Sequence, residues 1–172
     1  MDAVIEFGKI LIPASIVLYA AYLLVRSFLA KDIEMKKLEV RGRSLETILP
    51  LRIQAYERMT LFLERISPQN LLVRLNPGQI PSKEFHQLLL HEIRNEYNHN
   101  VSQQVFMTEE VWDLVKNAKE DLTITINDAA SEMNGESTSL DLSKKIVEKF
   151  MAKPDPIAHA LIELKREIQQ VF

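Results

Sequence analysis

The chain has 172 residues, 47% of them hydrophobic and 26% charged, and a net charge of −3. It contains no cysteine, which excludes disulfides, zinc–cysteine sites, iron–sulfur clusters and thiol nucleophiles. Glycine occurs only four times, while Leu, Glu and Lys are plentiful, a balance that favours helices.

Residues 1–9, MDAVIEFGK, have side chains summing to −1 and are expected to form a short external leader. Residues 10–29, ILIPASIVLYAAYLLVRSFL, then carry one charge, Arg26. Twenty helical residues rise about 30 Å, the hydrocarbon thickness of a bilayer. The run therefore predicts a single transmembrane helix over 10–30, in which Pro13 and Ser15 are tolerated. A cleaved signal peptide fits less well, because the leader is acidic and no clear small-residue cleavage site precedes Lys31.

Charge sets the expected orientation. Arg26, Lys31, Lys36, Lys37, Arg41 and Arg43 follow the apolar run, and only Lys9 and the amino group precede it. The side richer in Lys and Arg stays in the cytoplasm. The expectation is a bacterial inner-membrane protein with its N-terminus outside and its C-terminal domain cytoplasmic. Residues 31–43 read as a charged juxtamembrane stalk. Those six cations are the candidates for contact with the membrane surface, although Asp32, Glu34 and Glu39 dilute the patch. Gly42 offers a breaking point.

Residues 44–172 form the expected cytoplasmic domain, 129 residues long with a charge of −5. That length buries about two-thirds of the unfolded surface. The acidic balance argues against nucleic-acid binding, which needs a basic face. Thr47 and Pro50 predict a helix start, and Leu51, Ala55, Met59, Phe62, Leu63 and Ile66 repeat as one apolar stripe. Ser67-Pro68 ends that helix or opens a new turn, and Leu71, Leu72, Val73 and Leu75 suggest a short helix or an extended buried piece. Asn76-Pro77-Gly78 is a turn signal.

Ser82 is expected to cap the next helix, with Phe85, Leu88, Leu89, Ile93 and Tyr97 as its stripe and Asn98–Asn100 as its end. Residues 102–107 read as an extended connector. Thr108 caps a further helix, with Glu109 and Glu110 in the first turn. Helical spacing from Trp112 through Val115, Leu122 and Ile126 continues to a stop at Gly135. The alternation at 122–126 is also compatible with a strand, but length and flanks favour helix. Residues 136–139 are a polar loop, and Leu140, Ile146, Val147, Phe150 and Met151 suggest a shorter helix. Asp155 then caps and Pro156 opens a last helix striped by Ile157, Leu161, Leu164, Ile168 and Val171. The fold class is thus all-α, a transmembrane helix followed by a bundle of four to five helices.

The densest polar stretch is 91–99, where Glu96 and His99 make a Glu-x-x-His pair with Glu92 one turn before. That is one half of the ligand pattern in di-iron bundles, and no second Glu-x-x-His occurs. His91-Glu92 is not an H-E-x-x-H zinc motif either, because position 95 is Asn. Glu92, Glu96 and His99 remain weak metal candidates beside the simpler reading of a solvated helix face. No nucleophile elbow and no glycine-rich phosphate loop is present.

Two phrases, LRIQAYERMTLFLERISPQNLLVRL at 51–75 and HEIRNEYNHNVSQQVFMTEEVW at 91–112, resemble a bacterial family of small single-pass membrane proteins of unknown function. The similarity covers roughly residues 50–130. It implies the anchor-plus-helical-body layout and no reaction, cofactor or ligand.

The sequence as a whole points to a membrane-anchored structural or interaction protein, an adaptor or accessory subunit, with no catalytic residue and no cofactor. Its expected partners are the lipid bilayer and a protein partner or second copy, not nucleic acid. A lipid or small-ligand sensor is the alternative, and a metal-dependent enzyme built on Glu92, Glu96 and His99 is the other.

Overall fold

A computed structural model of the chain describes residues 2–75, 78 and 80–170, less the side chains of residues 2–8, 10, 12–14, 41 and 43–45. The named elements among the described residues are all helices, with no strand among them. Helix α1 runs Asp2–Ile66, followed by α2 Pro68–Leu75 and α3 Ser82–Asn100. A 3-10 helix, Val101–Phe106, leads into α4 Glu109–Ser131, α5 Ser139–Met151 and α6 Pro156–Gln169. The chain divides into two compact units, Met1–Leu49 and Pro50–Phe172.

The first unit corrects the membrane expectation. No helix among the described residues is long and apolar enough to cross a membrane. The single-pass topology, the outside N-terminus and the inner-membrane location are overturned with the span. Nor does Gly42 break the chain, since α1 stays helical through it. The side chain of Pro13, expected within the span, lies outside those described.

Large apolar residues on this stretch are exposed in every direction. Leu18, Leu24 and Phe28 are 72%, 72% and 73% exposed, and Val17, Tyr19 and Tyr22 are also open. Successive residues lie about 100° apart on a helix, so this run has no polar side.

The second unit is the helical bundle, with one helical segment more than the upper count expected from the sequence. Five helices, α2–α6, join the C-terminal part of α1, and α4 packs against α3, α5 and α6. Thr47 and Pro50 do not start a helix, because α1 is already formed there. A proline inside a helix removes a backbone hydrogen bond and costs about 3 kcal/mol. Pro50 instead coincides with the boundary between the two units.

From Ala55 onward the expected stripe is buried: Met59, Phe62, Leu63 and Ile66 are all within 1% of complete burial. Leu51 is exposed, and Tyr56 joins the core in its place. Phe85, Leu89 and Ile93 of α3, Val115, Leu122 and Ile126 of α4, Leu142 and Ile146 of α5, and Ile157 and Leu164 of α6 complete one cluster. Residues 122–126 are helical, as length and flanks argued. Residues 101–106 are 3-10 helix rather than an extended connector.

Side-chain caps fix the starts of three helices, α4, α5 and α6. The Thr108 hydroxyl accepts from Val111 N, and Asp155 accepts from Ile157 N and Ala158 N with Pro156 in the first turn. Thr138 and Asp141 form a reciprocal capping box that starts α5. Ser82 is the first residue of α3 rather than its cap. Its N–H donates to Ser137 O at 2.9 Å, while Ser139 N donates to Ile80 O at 2.8 Å. These two bonds tie the α2–α3 connection to the start of α5. Gly78 sits there at φ +108°, a conformation that side chains strain, and its carbonyl accepts from the Ser139 hydroxyl. Asn76 and Pro77 of the expected turn, and Val171 of the last stripe, lie outside the described residues.

Candidate functional site

The metal candidates sit on α3 but do not form a ligand set. Glu92 pairs with Arg74 of α2, and Glu96 pairs with Arg65 of α1 at 2.7 Å. His99 is exposed, and no group of three or more His, Asp or Glu side chains able to hold a metal occurs among the described residues. The two carboxylates lie one turn apart and would repel each other. An arginine from a different helix answers each, so they act as clips on the bundle surface. Such partly exposed pairs stabilise by about 0.5–1 kcal/mol.

The cations expected at a membrane surface are scattered along α1. Arg26, Lys31, Lys36 and Lys37 are exposed, and Lys36 pairs with Asp32 at 3.5 Å. The side chains of Arg41 and Arg43 lie outside those described.

A polar cluster that sequence reasoning does not single out lies inside the bundle. Glu167 of α6 is only 8% exposed and occupies the face that Leu164 and Ile168 belong to. The Tyr56 hydroxyl of α1 donates to Glu167 Oε1 at 2.5 Å. The Thr108 backbone N–H donates to the same oxygen at 3.0 Å, and the Thr108 hydroxyl donates to Oε2 at 2.9 Å. Arg52 Nη2 donates to the Tyr56 hydroxyl at 3.0 Å and lies 3.8 Å from Oε1. Burial, followed by the hydrogen bond to Glu167, raises the Tyr56 pKa above its ordinary value of 10.0. The phenol therefore stays protonated and donating at neutral pH.

The carboxylate and the phenol are engaged within the protein, while the buried Arg52 Nε has no hydrogen-bond partner among the described residues. Both carboxylate oxygens are taken by protein donors, and the tyrosine proton points at the carboxylate. The cluster ties the C-terminal part of α1, the start of α4 and α6 together, which is a structural task. Its signal in the sequence is a charged residue at the apolar spacing of α6, with Tyr56 and Arg52 one turn apart on α1.

A second tie is aromatic. Tyr97 stacks on Trp112 with ring centroids 5.9 Å apart and meets Phe62 at 6.1 Å, while Lys119 Nζ sits 4.7 Å from the Tyr97 centroid. Trp112 is thus a bundle residue, as its spacing indicated.

A groove of about 870 Å³ runs between α2 and α5. Leu72 and Val73 form one wall, and Leu140, Lys144 and Val147 form the other. A neighbouring groove extends it past Val147 to Phe150 and Met151. Val73 and Met151 are 83% and 78% exposed. Helix α5 therefore has two apolar sides, one turned into the core through Leu142 and Ile146 and one left open.

Comparison with curated proteins gives no match, and comparison with solved structures gives none either. A family model does match, far beyond the 50–130 over which a resemblance was expected, and it carries no indication of membrane proteins. By that match over residues 2–171, the chain belongs to a family of unknown function, DUF7935.

Proposed function

We propose that this chain is a structural or interaction protein that works by associating with other protein chains, its own copies included, and is not an enzyme. The observation that carries the reading is the stretch of α1 from Ile16 to Leu29, whose large side chains are exposed on every side of the helix. A helix that is apolar all round is a buried element by composition. Exposed apolar surface of this extent marks an association site. The open side of α5 adds a second apolar surface on the bundle.

The buried polar cluster supports the same reading. Its carboxylate, phenol and threonine groups engage one another and so serve the architecture of a folded platform. A bundle held by such ties can present α2 and α5 rigidly to a partner.

Crosslinking the full-length chain in its native cells, followed by purification under mild conditions, tests the proposal. The expected result is an oligomer or a companion protein in fixed ratio. A chain that crosslinks to no protein at native abundance would overturn it.

A further inference from the structure

We infer that the open side of α5, with the α2 wall beside it, is the docking face for a second copy of this chain, and that the two α5 helices run antiparallel. The inference rests on the reading of the chain as an interaction protein, and it names both the partner and the face. Leu140, Lys144, Val147, Glu148 and Met151 lie along that side of α5. The order is apolar, basic, apolar, acidic, apolar.

Reversing that order on a second helix makes it fit itself. In an antiparallel pair centred between Lys145 and Ile146, Leu140 comes level with Met151 of the second copy. Lys144 comes level with Val147 and within one residue, about 1.5 Å of rise, of Glu148. Two-fold symmetry repeats each contact, so two Lys144–Glu148 pairs flank an apolar centre. This is the self-complementary pattern a symmetric dimer requires. A parallel pair would set Lys144 against Lys144 and Glu148 against Glu148, which opposes that arrangement.

The side chains are available for it. Lys144 makes no ion pair among the described residues, whereas its neighbour Lys145 is held by Glu132 at 3.1 Å. Glu148 touches Lys145 at 3.2 Å, yet its side chain is 70% exposed. Val147 is 37% exposed, Leu140 49% and Met151 78%. The α2/α5 groove gives the second helix a seat. A face this narrow is at the small end of protein interfaces, so the dimer is concentration-dependent.

The chain has no cysteine, so Val147→Cys in the full-length protein introduces its only thiol. A short bis-maleimide should link two copies through position 147, and should not do so in Val105→Cys, whose thiol sits on the 3-10 helix. In the Val147→Cys background, Lys144→Glu should weaken dimerisation about tenfold by sedimentation, since two attractive pairs become repulsive. Glu148→Lys should do the same, and the combined Lys144→Glu/Glu148→Lys variant should recover the dimer. Equal linking at 105 and 147, no linking at 147, or no recovery in the combined variant would overturn the inference. If linking at 147 fails while the chain still has an oligomeric mass, only this face is wrong and the broader reading stands.

Discussion

The Tyr56 hydroxyl donates to Glu167 Oε1 across 2.5 Å, between residues 111 positions apart in the chain. That bond joins the C-terminal part of α1 to α6 through a buried carboxylate, with Thr108 supplying two further donors. Removing the acceptor strands the tyrosine and threonine donors and leaves Arg52 without its counter-charge. Glu167→Ala should therefore cost about 3 kcal/mol in urea unfolding. Tyr56→Phe removes one donor and should cost about 1–2 kcal/mol. The pair should be non-additive by at least about 0.5 kcal/mol in a double-mutant cycle. Additive losses would show that the hydrogen bond contributes nothing of its own.

The acid limb of stability should depend on Asp141. The Thr138 N–H and hydroxyl donate to its carboxylate at 2.9 and 2.8 Å and hold the carboxyl below its ordinary value of 3.8. A group depressed on folding contributes stability above its unfolded pKa and loses it as pH falls through the folded value. Melting temperature should thus fall more steeply for the native chain than for Asp141→Asn between about pH 5 and about pH 3. Glu132, lowered by Lys149 and Lys145, acts in the same direction and is untouched by the substitution. Parallel slopes for the two proteins would remove Asp141 from the account.

The α3 carboxylates should behave as surface clips and not as ligands. Glu96→Gln breaks only the Arg65 pair and should cost less than about 1 kcal/mol. His99→Ala, at an exposed position, should change stability by no more than about 0.5 kcal/mol. Metal analysis of protein purified without added metal should give the same content for His99→Ala as for the native chain. Loss of a stoichiometric metal in that variant would restore the metal reading.

Gly78 should be less replaceable than Gly135. A Cβ there meets nothing within 4 Å, so the obstacle is φ +108° alone. Gly78→Ala should cost about 1–2 kcal/mol, whereas Gly135→Ala, with no such angle, should fall within about 0.5 kcal/mol of native. Equal effects in thermal melts would show that the turn tolerates a side chain.

The elements legible in the sequence are those whose ends carry caps and whose faces repeat. Asp155-Pro156 and Thr108 mark helix starts because side-chain oxygens meet free N–H groups there. The buried faces of α3, α4 and α6 follow from spacing alone. Pro50 misleads, because a proline that suits a first helical turn is accommodated inside a longer helix. The capping box at Thr138 and Asp141 is present in the sequence, within what reads there as a polar loop and the start of a helix. Glu167 is hidden for another reason. Its donors come from α1 and from the start of α4, and no local pattern shows that a charge at a core position will find partners so distant. The apolar run in α1 reads as a membrane span on length and composition, and the described helix does not meet that requirement.

Association through exposed apolar surface is the central claim, and mass in solution tests it most directly. Light scattering of the full-length chain in aqueous buffer should give a whole multiple of 19.8 kDa, and Leu18→Arg/Leu24→Arg should lower that multiple. A 19.8 kDa monomer at every concentration, or a chain recovered only together with lipid, would contradict the account.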